Sequence, residues 1–427
     1  MTSFRITGAS GMLYRALAAA VLLLTPIAAA AQDVEQRARE IVEVLHGEAV
    51  YTDVFDDVFT ARTSQERFSA MFDPVAAQYG PLVGLEEVEA TSPTAARFAF
   101  RFERGFAWGA FNLSGEAPFR VAGIIVNNTG PADDTAEKLL ADFQALPGES
   151  SILIAPLNGG APVLSYNADR QLGIGSAFKL YILSALARQV AAGERSWSDV
   201  VPLDSSGPSG ITSTWPEGGP TTLHTLATQM ISVSDNNATD QLLSLLGRSA
   251  VEAEVAASGH SDPALLVPFM AAREMIALKI DGDIDAYRAA DAAGRLAALE
   301  ATADSEIDMF EFMMTFTGNP TALDIEWLVS GEDMANLMRR ISELEDPTAR
   351  SIMAVNTNVP DHLAGDWQYF GYKGGSEPGV INLSWLLQDH HGGWHVVTMS
   401  WNNPEAEIIL PQFRDLSARA IALARPQ

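Results

Sequence analysis

Apolar positions recur with two periods along the chain, and the switches between them mark out its elements. DVEQRAREIVEVLHG places Val34, Ala38, Ile41, Val42 and Leu45 near a 3.6-residue repeat, which predicts an amphipathic helix. SQERFSAMFDPVAAQYG predicts a second. The period then drops to two. RFAFRF puts Phe98, Phe100 and Phe102 on one strand face, and GFAWGAFNLS and FRVAGIIV predict two further strands, with Trp108 read as core beside the phenylalanines. NNTGPADD, Asn127 to Asp134, gathers turn-forming and acidic residues and reads as a domain boundary. Beyond it TAEKLLADFQAL predicts a helix. SSILIAPL and PVLSYN predict strands joined at Asn158-Gly159-Gly160. Helical patterns then continue to about Ile341, after which QYFGYKG, VINLSWLLQ and WHVVTMSW return to strand and a last helix runs from Pro411 to Ala424. Five strands thus fall in two blocks separated by a long helical insertion.

The expected class is α+β. Residues 33–130 form a helix-then-sheet unit whose architecture resembles the nuclear transport factor 2-like (NTF2-like) or ketosteroid-isomerase-like fold, and residues 135–427 form a second, larger unit. Residues 1–31 have a different character. Arg5 and Arg15 precede ALAAAVLLLTPIAAAA, and Gln32 and Asp33 follow, the three regions of a bacterial secretory signal peptide with cleavage after Ala30 or Ala31. The apolar run of about fifteen residues falls short of the ~20 that a spanning helix needs. The expected product is a periplasmic or secreted protein with no stable membrane anchor after signal removal.

At 47% hydrophobic and 19% charged, the composition is that of a globular chain long enough for two cores. Cysteine is absent, which excludes disulfides, thiol nucleophiles and a lipid-bearing cysteine. The formal charge of -27 repels phosphate backbones and anionic lipid, so nucleic acid is not an expected partner and a small-molecule substrate is.

The chain has only four lysines, Lys138, Lys179, Lys279 and Lys373, yet Lys179 lies in the apolar run GIGSAFKLYILSAL. Ser176 and Lys179 are spaced to share one helix face, where an amine can reach a hydroxyl. Loss of hydration lowers an ammonium's pKa, and a neutral amine can activate a serine. The competing reading has Lys179 reaching to water and Ser176 capping the helix. Ser234-Asp235-Asn236 reads either as a helix cap or as a hydroxyl relay at Ser234 with Asn236 donating its amide to substrate and to Lys179. Lys373-Gly374-Gly375-Ser376 reads either as an edge strand beside a bulge or as a strand on which substrate lies against Gly375. In the latter case Lys373 offers positive charge to a carboxylate, and the Ser376 and Ser176 N–H groups form an oxyanion site.

In this order, SxxK, SDN and a lysine-glycine strand resemble the class A β-lactamases and penicillin-binding proteins. SSILIAPLNGGAPVLSYNADRQLGIGSAFKLYILSAL and TALDIEWLVSGEDMANLMRRI extend the likeness over about Thr135 to Gln427. TTLHTLATQMISVSDNNATD and PFMAAREMIALK resemble, more narrowly, the two-domain hydrolases of clavulanic acid gene clusters, in which an isomerase-like domain precedes a β-lactamase-like one. The resemblance implies a five-stranded antiparallel sheet with a helical insertion. It also implies a serine acyl hydrolase without cofactor or metal: Ser176 as nucleophile, Lys179 as base, Ser234 and Lys373 as relay, and Asn236, Gly375 and Ser376 on the substrate. Trp215 in STWPEGG either flanks the cleft or is a structural tryptophan.

Three features depart from the family. No ExxLN motif lies between Asn236 and Ser330, and Glu274 and Glu311, the nearest carboxylates, read as ordinary solvated residues. Gly374 lacks the hydroxyl of the family's KTG or KSG. The insertion is long, with extra helices near Ile284 to Asp304 expected over the cleft. Esterase action with poor lactam opening, or acylation without turnover as a sensor, are the rival expectations. His390, His391 and His395 read as a solvated turn rather than a metal site, and the calcium-loop spacing at Asp281, Asp283 and Asp285 fails at Ala286 and Ala292.

Overall fold

The computed structural model describes residues 34–302, 307, 309–359 and 361–426, so the expected signal segment lies outside the described residues. The chain divides into two compact units, Met1–Asp134 and Thr135–Gln427.

In the first unit a helix spans 34–46 and four short ones follow, Tyr51–Val54, Asp57–Arg62, Gln65–Ala70 and Asp73–Tyr79. The second predicted helix is therefore two, because Pro74 sits in a first turn, where its missing N–H costs nothing, and cannot continue a preceding helix. Four antiparallel strands come next in order: β1 (Leu82–Ser92), β2 (Ala95–Phe102), β3 (Gly105–Leu113) and β4 (Val121–Pro131). Phe98, Phe100 and Phe102 point together into the core against Phe55, Phe68 and Phe72, as the period of two requires. Trp108 lies on the other face of β3 and is half-buried, so it is not part of that core. β1 escaped the sequence reading because its glutamates leave it little buried surface. Asn127 to Pro131, read as linker, stays in strand: β4 is an edge, paired on one side only with β3 from Gly105 to Leu113, and an edge tolerates turn-forming residues and a terminal proline.

The second unit opens with the helix Ala136–Gln144, capped by the Thr135 hydroxyl, and then β5 (Glu149–Pro156) and β6 (Leu164–Tyr166). Inside the insertion, β7 (Leu172–Gly173) pairs with β10 (Leu328–Val329), and β8 (Val200–Pro202) with β9 (Pro220–Thr222). β11 (Tyr369–Glu377), β12 (Val380–Gln388) and β13 (Trp394–Asn402) return to the main sheet, whose order is β11-β12-β13-β5-β6 with every pair antiparallel. The two sequence blocks meet where β13 lies against β5. One sheet face packs on the Ala136–Gln144 and Leu410–Leu423 helices through Phe143, Trp401 and Phe413. The other packs on the insertion, centred on the helix Lys179–Ala191. Covered on both faces, β12 is apolar almost throughout, which is why VINLSWLLQ shows no alternation.

Candidate active site

Ser176 sits not on a helix but in a 3-10 turn, Gly175–Phe178, immediately ahead of Lys179. With three residues per turn, positions 176 and 179 stand one above the other, so the spacing still brings both side chains to one side. Two contacts hold the turn. Phe178 stacks on Trp327 with ring centroids 3.6 Å apart. Gly175, at φ +47°, lets the backbone of β11 approach so closely that a Cβ there would lie 2.8 Å from Ser376 N.

Lys179 is completely buried. Its Nζ donates to the Ser234 carbonyl oxygen at 2.7 Å, to Ser234 Oγ at 3.1 Å and to Asn236 Oδ1 at 2.6 Å. Burial pulls its pKa down to about 7, against the opposing pull of the Asp240 and Asp235 carboxylates. Lys373 reaches the same hydroxyl from β11, 3.0 Å from Ser234 Oγ, and donates to its neighbour's Gly374 carbonyl at 2.5 Å. Burial, and then the charge on Lys179, hold it well below the ordinary lysine range. Both competing readings that sent these lysines to water or to an ordinary sheet edge are thereby set aside. Ser234 Oγ accepts from two amines, which leaves its own proton free to point elsewhere.

Ser234 occupies a left-handed backbone position, φ +60°, at the corner between two helices. Asp235 fixes that corner. Its carboxylate accepts from Ala238 N, Thr212 N and Thr212 Oγ1, each at 2.8 Å, so it caps the next helix while its neighbours turn toward Lys179. Asn236 differs from expectation in one respect: its carbonyl, not its amide, faces Lys179, because an amine that donates needs an acceptor, and Nδ2 donates to Ser209 Oγ at 2.8 Å.

Two cavities open beside Ser176. The larger, about 470 Å³, is lined by Ser176, Ser234, Asn236, Lys373, Gly374, Gly375 and Ser376, together with Arg414 of the last helix. The smaller, about 170 Å³, shares Ser176, Asn236 and Ser376 and is walled by apolar side chains. Gly375 is glycine for a reason other than substrate access: a Cβ there would lie 2.2 Å from both Ile174 O and Ser176 N. Since those are backbone atoms that cannot step aside, Gly375→Ala is expected to shift β11 from the Ser176 turn. It should cost about 1–3 kcal/mol in a thermal or denaturant melt and lower kcat/KM roughly 10²-fold.

Trp215 lines neither cavity. It follows the 3-10 turn Thr212–Thr214 and is half-buried against the main core of the unit. The wall expected from residues 284–304 comes instead from the helix Met309–Phe316, which supplies Phe312 and Phe316. Glu274 is not solvated: it pairs with Arg248 at 2.6 Å and accepts from Ala271 N at 2.7 Å, away from Ser176. Glu311 lines neither cavity. His395 pairs with Asp389 at 2.8 Å, a carboxylate partner adjacent in sequence, and Asp283 caps the helix Ile284–Ala289.

Two carboxyl groups that no motif flagged do reach the smaller cavity. Glu326 Oε2 accepts from Gly175 N at 3.0 Å and from Trp327 N at 3.2 Å, and Glu377 ends β11. Burial, and then the charge of Glu377, push Glu326 well above the ordinary carboxylate range, and burial does the same to Glu377. Each had a sequence signal. Lys373, Gly375 and Glu377 share one strand face by alternation, and Glu326 stands among Ile325, Trp327, Leu328 and Val329, the same oddity of a charge in an apolar run that exposed Lys179.

A model of the beta-lactamase enzyme family matches residues 133–355, more than half of the chain, and its span includes Ser176, Lys179, Ser234 and Asn236. The chain belongs to that family. Its second unit has the β-lactamase and penicillin-binding-protein fold, and the family is one of serine hydrolases. Similar solved structures include a β-lactamase from Sphaerobacter thermophilus, 20% identical, covering 68% of this chain and 95% of its own, TM-score 0.47. Another from Chitinophaga pinensis is 18% identical, covering 68% and 98%, TM-score 0.47. A third from Desulfarculus baarsii is 16% identical, covering 67% and 95%, TM-score 0.47. Comparison with curated proteins gives no match. In this β-lactamase-family chain the lysine of β11 lies beyond the matched span, and only the folded sheet brings it to Ser234.

Proposed function

We propose that this protein is an exported serine hydrolase that opens β-lactam amides or related esters through an acyl-enzyme on Ser176, with the first unit as an NTF2-like accessory domain. The observation that carries the reading is the convergence of Lys179 and Lys373 on one hydroxyl, Ser234 Oγ, beside a serine that lines the same cavity. Lys179 as neutral amine takes the Ser176 proton while Oγ attacks the carbonyl carbon. The resulting oxyanion lies between the Ser176 and Ser376 N–H groups. The C–N or C–O bond then breaks, and the proton passes through Ser234 to the leaving group. Asn236 orients the acyl part.

Positive charge for a substrate carboxylate comes from Arg414 rather than from Lys373 alone, since Lys373 is held toward its neutral form and Arg414 stays charged on the opposite rim of the same cavity. Arg414→Ala is expected to raise KM for carboxylate-bearing lactams about tenfold and to leave uncharged esters unaffected, as steady-state kinetics will read.

A second reading, acylation without turnover, is favoured by one observation: both carboxyl groups at the smaller cavity are held toward their protonated forms, so neither is a ready base for water at neutral pH. Intact-protein mass spectrometry after penicillin exposure separates the readings. A transient adduct on the Ser176 peptide, followed by hydrolysed product, is the expected result. A persistent adduct means a sensor, and ester turnover with no adduct means an esterase.

A further inference from the structure

We propose that the smaller cavity beside Ser176 receives an acyl group whose apolar part ends in a primary ammonium, bound between Glu326 and Glu377. The inference rests on the reading that Ser176 carries the acyl group, and it adds the class of acyl group.

The walls are apolar: Met275, Ile276, Phe312, Phe316 and Trp327 surround a space of about 170 Å³. A dry cavity of about 150 Å³ accommodates a benzene ring, so there is room for one ring or a short chain and little else. Two polar oxygens break that lining. Glu326 is only 3% exposed, and while Oε2 accepts two backbone N–H bonds, Oε1 has no hydrogen-bond partner. Glu377 Oε1 is held by Lys279 Nζ at 2.5 Å, and its Oε2 likewise has no partner. A buried acceptor without a donor is costly, and two of them at one cavity call for a ligand that donates more than once.

Charge makes the demand specific. Two carboxylates face one ammonium, Lys279, from the helix Ala272–Asp281, so the group is short of one positive charge. Asp324, in the loop leading to Glu326, is already satisfied by Arg288 at 2.6 Å, and Lys179 points away to Ser234 and Asn236. In the free protein a proton on the pair makes up the shortfall. An incoming ammonium replaces that proton and offers three N–H donors to the two open oxygens. A neutral acyl group of the same shape fills the space, excludes water and leaves both oxygens unpaired, which is how polar sites reject analogues that lack one group.

The test titrates benzylamine and its neutral counterpart benzyl alcohol into the full chain by calorimetry. Benzylamine should bind at least about tenfold more tightly and release about one proton, seen as a heat that varies with the ionisation enthalpy of the buffer. Glu326→Gln should bring the affinity ratio near unity and abolish the proton release. Should that variant fail to fold, the unmodified protein serves: lowering the pH should weaken benzylamine binding and leave benzyl alcohol unchanged. Bound benzylamine should also slow acylation of Ser176. Equal affinities, no binding of either probe, absence of proton release, or binding that leaves acylation unaffected would each overturn the inference. A penicillin adduct on Ser176 without benzylamine preference sinks this inference and spares the proposed function. Benzylamine preference without any adduct does the reverse, leaving the ammonium site and removing Ser176 as nucleophile.

Discussion

Ser176→Ala is expected to abolish the penicillin adduct and to lower kcat by roughly 10⁴-fold or more, because removing a nucleophile leaves only the contribution of binding and oxyanion donors. No thiol can substitute, since the chain has no cysteine. Two other hydroxyls line the larger cavity, Ser234 and Ser376. Ser234 Oγ is engaged by two amines, and Ser376 contributes chiefly its backbone to the Ser176 turn. Peptide mapping of the unmodified protein, together with intact mass of the variant, checks the assignment. An adduct that survives in Ser176→Ala would move the chemistry to one of those residues.

Lys179→Met should cost acylation roughly 10²–10⁴-fold, the range of a positioned general base. The pH profile gives a sharper signature. With the Lys179 pKa near 7, the amine is charged and without a lone pair below that pH, so the acylation rate of the unmodified protein should rise with pH through about 7 and then level. Asp240→Asn removes a carboxylate that favours the charged form and should move that limb to lower pH. Asp240 also accepts from Ala272 N at 2.7 Å and Arg273 N at 2.9 Å, contacts that an asparagine retains only in part, so a melt belongs beside the kinetics.

The same burial has a stability consequence. A lysine whose folded pKa lies below its unfolded value destabilises the fold as pH falls from the unfolded pKa toward the folded one, because the unfolded chain takes up the proton first. The shift from 10.5 to about 7 sets an upper bound of roughly 5 kcal/mol below pH 7. Methionine escapes that cost but strands the Ser234 carbonyl and Asn236 Oδ1, so the net gain is smaller. Lys179→Met is expected to be inactive and yet more resistant to denaturant, with the difference vanishing above pH 10. An equilibrium unfolding series at pH 6, 8 and 10 checks it.

What could be read from the sequence follows from what periodicity encodes. The five strands of the main sheet and the helix Lys179–Ala191 carried their signal in runs of apolar residues, and Lys179 announced itself by interrupting one. Position 176 in a 3-10 turn was not legible, because the turn is set by contacts with β11 and Trp327, hundreds of residues away in sequence. β1 failed because an exposed, glutamate-rich strand has no apolar face to display. Trp215 failed for the opposite reason, since a tryptophan in a loop has the same signature whether it borders a cavity or a core. Glu326 and Glu377 were overlooked because attention went to a motif, ExxLN, rather than to charges in unlikely surroundings.

The main sheet closes only when its last strand arrives. β5 waits for β13, and Trp401 Nε1 donates to the Pro147 carbonyl across 254 residues at 2.6 Å. During synthesis the β5–β6 hairpin therefore stands with a bare, strongly apolar edge until nearly the whole protein has been made. Contacts of such long range form slowly and leave strand edges open to pairing with other chains. A chain that ends at residue 355 would contain SxxK and SDN yet lack three of the five strands, and it should accumulate as aggregate rather than as a weak enzyme.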